Sequence, residues 1–205
     1  KCIVDEVFID GELVAKNGKA LFEKQEYEYP EEYKHSVHLP LMDENAFGIP
    51  AEGKVKVHVI DVISGKVGTT DKLVEMTARN GELVADGERD ILKACVFERH
   101  HETGKVGKGF ISGFGIKHGA LAQTVAHDAH NLLVVGSNDK DMALAVNTLI
   151  KCGGGLVAVK DGKILGLVEL PIAGLMSSLS VEETEKKVKR LEDAWKELGC
   201  ELPSP

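Results

Sequence analysis

The chain has no excess of positive charge. Its 25 lysines and arginines are outnumbered by 33 acidic residues, for a net charge of −8. Binders of nucleic acid normally carry a basic stripe for the phosphates, so no nucleic-acid partner is expected. Long hydrophobic runs are absent too: nothing approaches the roughly 20 apolar residues of a membrane span. The first residues have no secretory pattern. Neither a membrane partner nor export is expected, which leaves the cytoplasm as the expected location. Cysteine is sparse. Cys2, Cys95, Cys152 and Cys200 lie far apart, with no Cys-x-x-Cys pair. That spacing excludes a dense disulfide framework and argues against a structural zinc site. Cys95 and Cys152 sit in apolar contexts and read as small core residues. Internal repeats and low-complexity tracts are also missing. What remains is a chain of 205 residues that is 43% hydrophobic, enough for one large domain or one domain with an appendage.

Along the chain, Asp10-Gly11 and Asn17-Gly18 are type I′ turn pairs with apolar flanks, which predicts two short hairpins over residues 3–22. So little sheet does not stand alone, so residues 1–22 read as the terminal strands of an incomplete β-sheet structure. Residues 23–53, rich in Glu, Lys and Tyr and punctuated by Pro30, Pro40 and Pro50, read as a surface connector. From Lys54 to the end at 205 a strand-rich domain is expected. Val55, Val57 and Val59 alternate as in a half-buried strand, and Ile91–Phe97, Leu121–Val125 and Leu132–Val135 are further strand candidates. One helix begins at the N-cap Asn138 and stops at Gly153. A hairpin follows, Leu156–Val159 and Ile164–Leu170 around Asp161-Gly162. The last helix opens on a Ser180/Glu183 capping box, buries Val188, Leu191, Trp195 and Leu198, and ends at Gly199. The expected fold class is α+β with mixed α/β layers, a strand-rich domain with two helices.

The densest chemistry lies in Val125-Ala-His-Asp-Ala-His-Asn131, beside the apolar run Leu132–Val135. Two imidazoles, a carboxylate and an amide within five residues can bind a metal, move a proton or grip a polar ligand. Asp128 is suited to fixing an imidazole tautomer. The structural alternative is a polar turn between two strands, with Asp128 and Asn131 bonding nearby backbone. Glu98-Arg99-His100-His101 ends a strand, and Arg99 and His100 are positioned to join the His127 cluster. The run Gly104–Gly115 lacks the Lys-Ser/Thr ending of a P-loop. Its glycines read as permitting bends or close strand contacts rather than holding phosphate. Gly136–Met142 reads as ordinary helix capping, and Leu170–Ser177 as a structural corner.

Taken together, several segments resemble the C-terminal domain of adenine deaminase, in the amidohydrolase superfamily. They are Arg99–Lys105, Gly109–Gly115, His118–Ala120, Val125–Asn131, Gly136–Asn147, Gly153–Gly155 and Leu170–Ser177, in matching order over roughly residues 54–200. The leading hairpins are similar to closing strands of the β-sandwich that flanks an amidohydrolase barrel. The resemblance implies a metal-dependent hydrolase of purine salvage, acting on a cyclic amidine C–N bond: adenine and water give hypoxanthine and ammonia. It also implies a divalent metal (manganese, iron or zinc) in the full-length enzyme, where bound water becomes a nucleophile. The barrel's His-x-His pair is absent, since none of the eight histidines is separated from another by one residue. A (β/α)₈ barrel alone needs roughly 200 residues. The chain is therefore expected to be a fragment that lacks the barrel, holds no metal and is inactive alone. Its expected partner is the missing barrel, whose active site it helps cover. Adenine is the substrate of the whole, and a homo-oligomer is left open.

His127, Asp128, His130 and Asn131 are the candidate accessory catalytic residues on this reading, and Arg99 and His100 the candidate substrate-binding residues. No metal ligand is assigned. Two other readings stay open: a structural or oligomerisation domain without catalytic residues, and a small autonomous metal enzyme built on the histidine cluster.

Overall fold

The computed structural model describes residues 3–23 and 27–202. At the start, β1 (Glu6–Ile9), β2 (Glu12–Lys16) and β3 (Lys19–Ala20) form a three-stranded antiparallel meander. Its two turns are those expected: Asp10 and Asn17 both sit at φ 52°, each followed by a glycine with positive φ. No residue of these strands is buried, and Phe8 and Ile9 stand exposed.

The rest of the chain builds an eight-stranded sheet. Its strands are β4 (Lys54–Val62), β5 (Thr69–Thr77), β6 (Leu92–Phe97), β7 (Val106–Ser112), β8 (Ala120–Ala126) and β9 (Asn131–Gly136), then β10 (Gly155–Lys160) and β11 (Lys163–Glu169). Helix α1 (Asp139–Cys152) precedes β10, and α2 (Val181–Glu197) follows β11. The strand order is β11-β10-β8-β9-β6-β7-β4-β5. Neighbours pair antiparallel except β4 and β7, which run parallel. The fold is α+β, as the pattern of elements predicts.

Alternation along the central strands sends side chains to two opposite faces. Leu132 and Val134 of β9 join Val157 and Val159 of β10 beneath α1, through Met142, Ala145, Val146 and Leu149. Val135, Leu121 and Ala158 face the other way and meet Leu191 and Ala194 of α2 and Leu198 at its C-cap. A third cluster, with Val59, Val74, Met76 and Phe110, closes the β4–β5–β7 end. Both helix caps form as expected. Asn138 Oδ1 accepts from Asp141 N–H at 2.8 Å, and Ser180 and Glu183 make the reciprocal box. Cys95, Cys152 and Cys200 are free thiols, and burial raises the Cys95 pKa to about 11. Cys2 lies outside the described residues.

The segment read as a surface connector contributes to the core. It forms short 3₁₀ turns at Glu31–Tyr33 and Glu44–Phe47. Phe47 is fully buried, edge-to-face on Phe97 with ring centroids 5.7 Å apart. The Asn147 amide on α1 clamps the Met42 backbone from both sides, at 2.8 and 2.7 Å.

Candidate functional site

One end of the sheet gathers five chain segments: residues 33–38, 98–103, 127–131, 153–155 and 170–176. The topology places them there, because β8 ends, β9 begins, β6 ends and β10 begins at that end.

Arg99 organises the cluster. It is 1% exposed, so its cation needs hydrogen-bonding partners to offset lost hydration. They come from three segments: Nε donates to the His130 carbonyl at 2.6 Å, one terminal nitrogen to the Ser36 carbonyl and hydroxyl at 2.8 and 2.9 Å, and the other to the Ala173 carbonyl at 3.0 Å. Burial lowers its pKa from the ordinary value, yet a guanidinium stays charged in a protein. The fork geometry suits three separated carbonyls as a single ammonium would not. Gly174 makes room for it: at φ 70°, a Cβ there would stand 2.9 Å from both terminal nitrogens. Buried Thr124 fixes the same corner, donating to the Gly174 carbonyl at 2.6 Å while accepting from Gly155 N–H. The Leu170–Ser177 corner is thus structural, as expected, and tied to the polar cluster.

The residues after Arg99 are held by Glu98. Its carboxylate accepts from the N–H groups of His100, His101 and Thr103 and from the Thr103 hydroxyl. Desolvation pushes its pKa up, but these donors outweigh it and bring the carboxyl down to about 2. His100 Nε2 donates to the Ala129 carbonyl at 2.9 Å, and His38 Nδ1 to the His100 carbonyl at 3.0 Å.

The β8–β9 turn is therefore pinned through its carbonyls: Ala129 by His100, His130 by Arg99, and Ala126 by the His130 N–H at 2.7 Å. The His127–Asp128 peptide is cis, and His130 lies at φ 50°. The side chains are spent differently from the backbone. His127 and Asp128 are exposed, while His130 and Asn131 are partly buried. The His127 and His130 rings meet edge-on at 4.9 Å. Among the described residues, the two buried side-chain polar atoms without a hydrogen-bond partner are His130 Nδ1 and Asn131 Oδ1.

All six candidate site residues thus come together, but through two kinds of contact. Arg99 and His100 touch the backbone of the 127–131 turn, whereas His127, Asp128, His130 and Asn131 present side chains free of hydrogen bonds. Sequence reading assigned no part to Glu98, Ser36, His38, Thr124 or Ala173. Glu98 bonds within five positions of itself; the others bond across 31 to 74 positions of chain, where no local pattern carries a signal.

The glycine-rich run is strand β7 and the turn after it. The N–H groups of Gly113 and Gly115 bind the Asp90 carboxylate at 2.7 and 2.8 Å, so an internal anion holds those two donors. The divalent metal implied by the family resemblance finds no fit in this chain: among the described residues, no group of three or more His, Cys, Asp and Glu side chains could hold an ion. The same finding removes the support for an autonomous metal enzyme built on the histidine cluster. Among the described residues, no helix is long and apolar enough to cross a membrane.

A mixed, mainly antiparallel sheet with a helix on each face, and a polar turn pinned at one end, defines the class: an α+β domain carrying a preorganised polar tip. Residues 66–205 match the family described as adenine deaminase C-terminal domain, and the chain belongs to that family. β4 lies ahead of the matched residues although it shares their sheet. The chain is 55% identical over 98% of its length to an adenine deaminase of Clostridium botulinum (strain 657 / Type Ba4), covering 34% of that protein. It is 48% identical to one of Moorella thermoacetica, over 98% of the chain and 35% of that protein. For one of Dehalococcoides mccartyi (strain ATCC BAA-2100 / JCM 16839 / KCTC 5957 / BAV1) the figures are 39%, 98% and 35%. The chain thus spans about a third of the length of the curated relatives it matches.

Proposed function

We propose that this chain is the C-terminal part of an adenine deaminase, a cytoplasmic hydrolase of purine salvage that converts adenine and water to hypoxanthine and ammonia. The observation that carries the reading is the family match over 66–205, with relatives named adenine deaminase aligned along 98% of the chain. The metal that supplies activated water in this chemistry has no donor set among the described residues, and on this reading its ligands lie in the rest of the enzyme. The work of this chain is to pack on that remainder and to bring the polar tip to its active-site mouth.

Two physical features support such packing. Helix α2 covers the β10–β11 side of its face, while Ile60, Leu73 and Val96 further along the same face stay exposed. Ile60 and Leu73 stand opposite Asp71 and His58, which pair with each other at 2.9 Å, so the face offers a mixed apolar and charged surface of the kind found in contacts between domains. The tip, in turn, combines a rigid backbone with unspent polar side chains, the combination expected of a group that must meet a ligand in fixed geometry.

The test is to express this chain alone and within the longer polypeptide, then follow hypoxanthine formation from adenine with and without added divalent metal. Turnover by the longer protein and none by the chain alone is expected. Turnover by the chain alone would overturn the division of labour, and a longer protein inert towards adenine would overturn the assignment.

A further inference from the structure

We infer that Asn131, seconded by His130, is a specificity-determining contact for the amine-bearing edge of an aminopurine, where an exocyclic amine lies beside a ring nitrogen. The inference rests on the adenine deaminase reading above and deepens it. Its basis is the distribution of hydrogen bonds in the turn. Elsewhere in the described structure, buried side-chain nitrogen and oxygen atoms are satisfied. Arg99 is shared among three segments, and Asp141, 2% exposed, accepts from Asn138, Asp161 and Gly162. Only His130 Nδ1 and Asn131 Oδ1 are buried and unpaired among described side chains. They sit on neighbouring residues of a turn whose backbone is held at three carbonyls. An unpaired buried polar atom forfeits its hydration without return, and two on adjacent residues mark a site completed by something else.

The chemistry of the two groups selects the partner. A carboxamide offers one acceptor and two donors in a plane. That set pairs bidentately with an aminopurine: Oδ1 accepts from the exocyclic amine while Nδ2 donates to the adjacent ring nitrogen, the pairing by which asparagine reads adenine in general. His130 Nδ1, as a lone-pair acceptor, takes a further N–H of the same ligand. The group over His130 can move aside. The His127 ring packs edge-on against it at 4.9 Å, is exposed and has no hydrogen bond, so it is free to rotate off His130 without disturbing the pinned backbone. Arg99 and His100 are positioning residues in this scheme, since they touch the turn through its carbonyls.

The contrast between ligands with and without the amine tests this. In the longer adenine-deaminating protein, Asn131→Ala should raise KM for adenine by about 10- to 100-fold. The same substitution should weaken inhibition by unsubstituted purine by a clearly smaller factor, because purine keeps the ring nitrogen that Nδ2 meets but lacks the amine that Oδ1 meets, and should leave the melting temperature unchanged. Asn131→Asp keeps the acceptor but loses the ring-nitrogen donor, and should fall on the impaired side. Equal losses for adenine and purine, or a drop in melting temperature with KM unchanged, would overturn the inference: the unpaired atoms then bond to polypeptide. If the unsubstituted longer protein makes no hypoxanthine, the deaminase reading fails instead, and the two failures are distinguishable.

Discussion

At the scale of single residues, the candidate site was legible in composition but not in wiring. His127, Asp128, His130 and Asn131 stand together in sequence, so their proximity was given, and Arg99 was expected to join them; that it does so through the His130 carbonyl, across 31 residues, followed only from the antiparallel pairing of β6 with β9. The sequence also left open whether these side chains serve backbone or ligand, because only burial and partners decide it. Glu98, to which the sequence pattern assigns no role, gives a pH-dependent outcome. Its ordinary pKa of 4.5 falls to about 2 in the fold. A carboxyl depressed by folding stabilises the native state above its unfolded pKa. That contribution is lost as pH falls through the folded value, because the unfolded chain then binds the proton first. Denaturant titrations at fixed pH between 5 and 2 should therefore show a steeper loss of stability for wild type than for Glu98→Gln. The variant should also be less stable at neutral pH, where its amide presents donors to the N–H groups of His100, His101 and Thr103. Parallel pH profiles would mean that the 98–103 loop is not held by this carboxylate.

At the scale of elements, turns and helix ends were read well because their signals are local. Asp-Gly and Asn-Gly pairs enforce positive φ, and a cap needs only residues three apart. Strands β5 and β7 were not foreseen as strands. β5 is a sheet edge with only Val74 and Met76 buried, so it lacks a sustained apolar face. β7 contains Gly107 and Gly109, whose missing side chains leave open space above the sheet and erase the alternation that would betray a strand. The two caps, both legible, differ in what they hold. Ser180 sits in an exposed box. Asn138 also donates to Asp141, whose carboxylate holds the β10–β11 turn through Asp161 and Gly162. Ser180→Ala should cost about 1 kcal/mol and Asn138→Ala about 2 kcal/mol, the upper part of the range for caps. Urea unfolding of the two variants, compared at equal m-value, measures both. Equal losses would mean that the Asn138–Asp141 link adds nothing to an ordinary cap.

At the scale of the whole molecule, the layers are unequally covered, and that inequality connects fold to function. The α1 face is closed by helix, by Phe47 and by the Met42–Asn147 clamp. The α2 face is closed only towards β11, leaving Ile60 and Leu73 about half exposed over the β4–β5 end. Exposed sites tolerate substitution within roughly 0.5 kcal/mol, so Ile60→Lys combined with Leu73→Lys should leave the melting temperature of this chain alone nearly unchanged. In the longer polypeptide, where this face is proposed to pack on the remainder, each lysine would have to bury a charge or push the surfaces apart. The same pair should then lower the melting temperature by several degrees, on the scale of roughly 4 °C or more per kcal/mol for small domains and less for larger ones. Two comparisons, chain against longer protein and wild type against double variant, isolate the packing from any effect on the domain itself. A loss of equal size in both contexts would place these side chains in the domain's own stability. No loss in either would leave the face free of the rest of the enzyme, and the approach of the polar tip to the active site would then need another contact surface.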